Sequence, residues 1–164
     1  MQERNTAQRG GAAFIWKWGA IYGVILGVIQ IILSQLSFVS HKAILDFLVW
    51  LIGFFLIGMF AASRTGRVGT GALVGLVTGL ISGLIVVLFG IIQITGNNPQ
   101  ITQALNQAAQ NAQQRGKLLS PTEIRILAIV GSLIVNEAIE LSLGSGIGAL
   151  GGLLGRRQAT RHTN

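Results

Sequence analysis

The chain has 164 residues, 51% of them hydrophobic and only 10% charged, with a net charge of +7 and no cysteine. A water-soluble domain carries roughly 25% charged residues, and here the apolar residues come in long blocks rather than amphipathic stripes, which points to lipid as the solvent. Absent cysteines exclude disulfides and thiolate metal sites, and basic residues flanking apolar blocks read as membrane orientation signals rather than a nucleic-acid footprint.

Residues 1–10 read as a short polar tail and residues 13–36 as a first membrane span. Arg4 and Arg9 ahead of an apolar stretch resemble a signal peptide. The stretch exceeds the ~7–15 residues of a signal core and no small-residue cleavage pattern follows clearly, so it reads as a retained helix. Lys17 lies between Trp16 and Trp18, one turn into the span, where two aromatics at the headgroup level and a snorkelling lysine would form an interfacial anchor. A second span covers residues 43–62, with Ser40 placed to cap it and Asp46 its one acidic residue. It holds only Gly53 and Gly58 among many Phe, Leu and Ile residues, so it is expected to pack less closely and face more lipid.

Arg64, Thr65, Gly66 and Arg67 form a short basic turn, and the third span, residues 68–94, carries no charge. The polar segment 95–119 is rich in Gln, Asn and Ala. Asn98 and Pro99 supply a cap and a first-turn proline. Ile101, Ala104, Leu105, Ala108, Ala109 and Ala112 then recur at helical spacing, and Gly116 is placed to stop the helix. This predicts a short amphipathic helix on the membrane surface or against the bundle, with a mobile loop as the alternative. Ser120, Pro121, Thr122 and Glu123 read as a capping box with proline at the first helical position. A fourth apolar segment, residues 124–155, follows, and Arg156, Arg157 and Arg161 mark a basic tail over 156–164.

The expected fold is therefore all-α: one integral membrane domain over residues 1–164, a bundle of four transmembrane helices with an amphipathic helix between the third and fourth. Arg4, Arg9, Arg64, Arg67, Arg156, Arg157 and Arg161 fall on one side, and Lys42, Arg115, Lys117 and Arg125 on the other. That bias places both termini in the cytoplasm, in a plasma membrane of bacterial type.

The chain contains 23 glycines. Gly19, Gly23 and Gly27 recur every fourth residue in the first span, Gly71, Gly75, Gly79 and Gly83 in the third, and Gly144, Gly148 and Gly152 in the fourth. Residues four apart share a helical face, so each row is a groove without side chains. Lipid tails are as apolar as leucine, so close backbone contact across small residues is what binds such helices. The rows predict glycine-mediated packing, within the chain or between copies.

Glu137 and Glu140 share a face of the fourth segment, with Asn136 adjacent. A charge at the bilayer centre costs about 2.5–3.5 kcal/mol on insertion scales. Counting back from Arg156 puts Asn136 near the outer surface, while counting forward from Arg125 puts both acids inside. A tilted helix, a break near Gly131, Ser132 or Asn136, or a dipping outer half would reconcile the two counts. Depth alone groups Gln30, Asp46, Asn136, Glu137 and Glu140 into one candidate polar or ion cluster.

His41 and His162 are far apart, and no metal site, phosphate loop or nucleophile with a base is visible, so no enzyme activity, metal or cofactor is expected. The expected function is that of a small structural or accessory multi-pass protein, acting through helix packing with itself or a larger membrane complex and not with nucleic acid. The alternative is a proton- or cation-handling channel or transporter subunit using Glu137 and Glu140. Four-span proteolipids of rotary proton pumps share the length, the glycine-rich helices and a carboxylate on the last helix. This chain departs from them in its long polar third connection and in the absence of a repeat between its halves, and no relationship follows.

Overall fold

The computed structural model describes residues 2–35, 42–96, 99–116 and 120–161. They form five helices: α1 (Gln2–Gln35), α2 (Lys42–Thr65), α3 (Val68–Thr95), α4 (Pro99–Gln114) and α5 (Pro121–Arg161). Four of these, α1, α2, α3 and α5, are long and apolar enough to cross a membrane. Lipid offers no partner to a backbone N–H or C=O, so a spanning segment must close its hydrogen bonds within itself, as a helix does. The 28 residues of α3 rise about 42 Å, enough for a ~30 Å hydrocarbon core with a margin at each end.

Local chemistry sets the ends. Gly66, at φ +68°, terminates α2, its N–H donating to the Ala62 carbonyl at 2.8 Å. Gly116, at φ +75°, stops α4 as its position in the sequence predicts. The capping box forms at the start of α5: Ser120 N–H donates to Glu123 Oε2 at 2.7 Å, and Glu123 N–H to Ser120 Oγ at 3.2 Å. Pro99 is the first residue of α4, whereas Asn98, Ser40, His41 and His162 lie outside the described residues.

Two boundaries differ from expectation. α1 begins at Gln2 rather than at residue 13, and α5 continues to Arg161 through most of the expected tail. No proline interrupts either extension, and a helix already nucleated by a span lengthens at little cost. α5 also runs unbroken through Gly131, Ser132 and Asn136, so the fourth segment is one long helix without a break. Its excess length has a definite place. A Cβ built on Gly152 would lie 3.0 Å from the Val68 carbonyl, so α5 draws level with the start of α3 there and projects beyond it at the basic end.

Several glycines lie at contacts between the helices. α3 and α5 are antiparallel, with Gly71 at Gly148, Gly75 at Gly144, Gly79 at Glu140 and Gly83 at Glu137. The opposite face of α3 presents Val77, Ile81 and Ile85, which sit over Gly19, Gly23 and Gly27 of α1; a Cβ on Gly19 would fall 2.6 Å from Val77 Cγ1. All three rows thus meet neighbours within one chain. The second span exposes Phe47, Leu48, Ile52 and Leu56, as expected, but against α5 it packs more closely than its composition suggests. Gly58 lies on Gly148, and the carbonyls of Phe55 and Met59 rest where Cβ atoms of Gly151 and Gly155 would be. Gly151 and Gly155 of α5 and Gly58 of α2 admit the contact, so α2's own composition reveals only one part of it.

Leu26, Phe54, Ile57, Ala61 and Val74 form the buried apolar centre. Trp18 departs from its expected place in the anchor. Trp16 is 58% exposed and Lys17 is exposed, but Trp18 turns inward. Its ring meets Phe60 edge-on at 5.2 Å and Tyr22 at 5.9 Å, and Arg64 lies 5.5 Å over Phe60. Successive helical residues point about 100° apart, so Trp16 and Trp18 cannot share a surface.

Candidate functional site

Ser82, Asn136, Glu137 and Glu140 gather where α3 and α5 meet, with Trp50 and Asp46 of α2 at the same levels. Glu140 is fully buried, 0% exposed, in a chain whose mean environment is apolar. Its Oε2 accepts a short hydrogen bond from Ser82 Oγ, and its Oε1 accepts one from Asn136 Nδ2 at 3.1 Å. Asn136 is one turn before Glu140, so the helix delivers this second donor at no cost in chain entropy. Ser82 comes from α3, and the Gly79 row lets the helices approach: a Cβ on Gly79 would sit 2.6 Å from the Glu140 carbonyl. Without that groove a serine hydroxyl could not reach a carboxyl on the facing helix.

Ser82 Oγ also lies 3.2 Å from the Gly79 carbonyl. A hydroxyl carries one proton, so it donates to one acceptor at a time. An ionised Glu140 takes that proton's hydrogen bond itself. A neutral Glu140 can instead donate to Ser82 Oγ, which then donates to the Gly79 carbonyl. Either state leaves the carboxyl partnered, which is what a buried acid requires.

Depth follows from register. Ser82 is midway along α3, about 20 Å from either end at 1.5 Å per residue, so Glu140 stands near the middle of α3 and not at its Thr95 end. Glu137 is one turn nearer the Thr95 end of α3, and its Oε1 lies 2.7 Å from the position of a Gly83 Cβ. Glu137 Oε2 is buried without a hydrogen-bond partner. α2 runs parallel to α5, with Phe54 at Gly144 and Gly58 at Gly148. Stepping back one turn along both helices brings Trp50 level with Glu140, and another brings Asp46 level with Asn136. Trp50 Nε1 and Asp46 Oδ1 are likewise buried and unpartnered.

The structure therefore divides the five-residue cluster. Asn136 and Glu140 are hydrogen-bonded, Glu137 is beside them, and Asp46 shares their depth without a hydrogen bond to them. Gln30 stands apart. α1 is parallel to α3 with Gly27 at Ile85, which sets Gln30 level with Leu88, about 7.5 Å nearer the Thr95 end than Gly83 and Glu137. Its amide is buried, with neither polar atom hydrogen-bonded. Ser82 and Trp50 are the residues that sequence reasoning missed. Ser82 is the one serine in a charge-free span, three residues from Gly79, and a hydroxyl on a glycine face is the signal that marks it. Among the described residues no group of three or more His, Cys, Asp or Glu side chains could hold a metal ion.

The chain matches no family model, no curated protein and no solved structure. Its chemistry is read from its own residues.

Proposed function

We infer that this is a small structural or accessory protein of a bilayer, acting through helix–helix packing with itself or within a larger membrane complex. The observation that carries this reading is the closure of α3 over α5. Backbone meets backbone along Gly71, Gly75 and Gly79, and Glu140, the one fully buried carboxyl among the described residues, is sealed between the helices. Glycine rows supply the attraction, since close backbone approach maximises dispersion where burial from lipid gains nothing. Ser82, Glu140 and Asn136 set the register, because sliding α5 by one residue would strand a carboxyl in hydrocarbon.

Ile101, Thr102, Leu105, Ala109 and Ala112 of α4 are half-buried while Ala104 and Ala108 are exposed. That narrow stripe supports an amphipathic α4 lying at the outer surface against the start of α5. The basic residues support cytoplasmic termini in a plasma membrane of bacterial type, with lipid rather than nucleic acid as the partner.

Purified protein in proteoliposomes provides the test. Wild type and the Glu137→Gln, Glu140→Gln double variant should be equally tight to protons and cations, while leucine at Gly75 and Gly79 should disrupt assembly or insertion. A second reading, proton or cation handling at Glu137 and Glu140, draws on the unpartnered oxygens of Glu137 and Asp46 near the midplane. Flux through wild type that disappears in the double variant would replace the first reading with the second.

A further inference from the structure

Gln30 is 8% exposed, and neither its amide oxygen nor its amide nitrogen has a hydrogen-bond partner. A buried amide left unpaired loses water and gains nothing, so such a group is normally satisfied by a ligand, a side chain or bound water. Gln30 forms part of the wall of a cleft of about 310 Å³ between the last turns of α1 and α3. That volume is at the lower end of small-molecule sites, roughly 300–1,000 Å³.

The lining specifies the occupant's chemistry. Its polar members are Gln30, Ser34, Gln35 and Gln93, all neutral. Val86, Phe89 and Ile101 supply apolar wall. No charged side chain is among the described residues that line it. Phosphate or ammonium would find no counter-charge here, whereas an uncharged carbonyl joined to a hydrocarbon chain fits both kinds of wall. Serine is already engaged, Ser34 Oγ donating to the Ile31 carbonyl at 2.7 Å, so the amide of Gln30 is the buried donor left over.

Depth supplies an independent constraint, which rests on the membrane reading of the bundle. The ~42 Å rise of α3 exceeds a ~30 Å hydrocarbon core by about 6 Å at each end. Gln30, level with Leu88, is seven residues or about 10.5 Å before the end of α3, and Gln93 is two residues before it, about 3 Å. The cleft therefore straddles the boundary between hydrocarbon and headgroup, the layer in which the ester linkages of a diacyl lipid lie.

We propose that the cleft between α1 and α3 binds one diacyl phospholipid by its ester linkage, with the Gln30 amide donating to an ester carbonyl and an acyl chain lying along Val86 and Phe89. Gly90 makes the site testable. It lines the cleft, and a Cβ there would meet nothing within 4 Å, so a larger residue fills the space without displacing the bundle.

The experiment measures lipid retained by detergent-purified protein by native mass spectrometry. It also measures the thermal shift that delipidated protein shows on adding diester phosphatidylcholine or its diether analogue. Wild type should retain one lipid and be stabilised by several degrees more by the diester than by the diether. Gln30→Leu should remove that preference, and Gly90→Phe should abolish both retention and shift while leaving unfolding of the lipid-free protein unchanged. Equal shifts from diester and diether in wild type, or full lipid retention by Gly90→Phe, would overturn the proposal. The packing reading fails on a different result, tolerance of bulk at Gly75 and Gly79, so the two are separable.

Discussion

Alanine at Gly79 adds one methyl group where α3 crosses α5, and its cost can be worked from the geometry. The new Cβ would stand 2.6 Å from the Glu140 carbonyl, against the 3.4 Å at which ordinary contact begins, a shortfall of 3.4 − 2.6 = 0.8 Å. The obstructing atom is backbone, so no rotamer change relieves it and the helices must separate by about that distance. A gap of 0.5–1 Å forfeits a quarter to a half of each dispersion well, so some 20 nearby atom pairs at ~0.15 kcal/mol each lose about 1 kcal/mol. Off-rotamer adjustment and the stretched Ser82–Glu140 hydrogen bond raise the total to about 1–3 kcal/mol. Gly75→Ala should cost at least as much, because its Cβ falls directly on the Gly144 carbonyl. Alanine at Gly90, Gly131 or Gly146 meets nothing within 4 Å and should leave stability unchanged or raise it, by up to about 1 kcal/mol from helix propensity. Unfolding in mixed micelles, followed by tryptophan fluorescence with Trp50 as a reporter on α2, ranks the five variants. A flat ranking, or losses at Gly75 and Gly79 below about 0.5 kcal/mol, would refute the reasoning.

Ser82→Ala removes the inter-helix donor to Glu140 and should lower stability by about 1–2 kcal/mol, whereas Ser82→Thr, which keeps the hydroxyl, should recover part of it in the same unfolding assay. Ser120→Ala breaks the capping box and should cost about 1 kcal/mol locally, seen as faster hydrogen exchange at the Glu123 and Ile124 amides with no change near Gly148. Single cysteines introduced into this cysteine-free chain should map its sides. Positions 66 and 157 should react from one side of the membrane, position 116 from the other, and position 140 from neither; labelling of position 140 by a water-soluble reagent would contradict a sealed midplane.

The four helices long and apolar enough to cross a membrane, and the turn chemistry at Gly66, Gly116 and Ser120, were legible in the sequence. Each depends on residues adjacent in the chain: a run without charge, a glycine able to adopt positive φ, or a serine and a glutamate three apart. The glycine rows were legible as grooves for the same reason, since a face is a local periodicity. What fills a groove is not local. Only the tertiary structure placed Val77, Ile81 and Ile85 over the α1 row and backbone over the others, and it alone showed α2 seated on glycines that belong to α5. The depth of Glu140 was also undecidable from the chain, because α5 is longer than the bilayer and can be counted from either end; its contact with Ser82 halfway along α3 selects one register. The polar cluster divided for a related reason. Depth matching along single helices grouped Gln30 with Glu137 and Glu140, but offsets between helices set the true levels, and those offsets exist only once the side chains have packed.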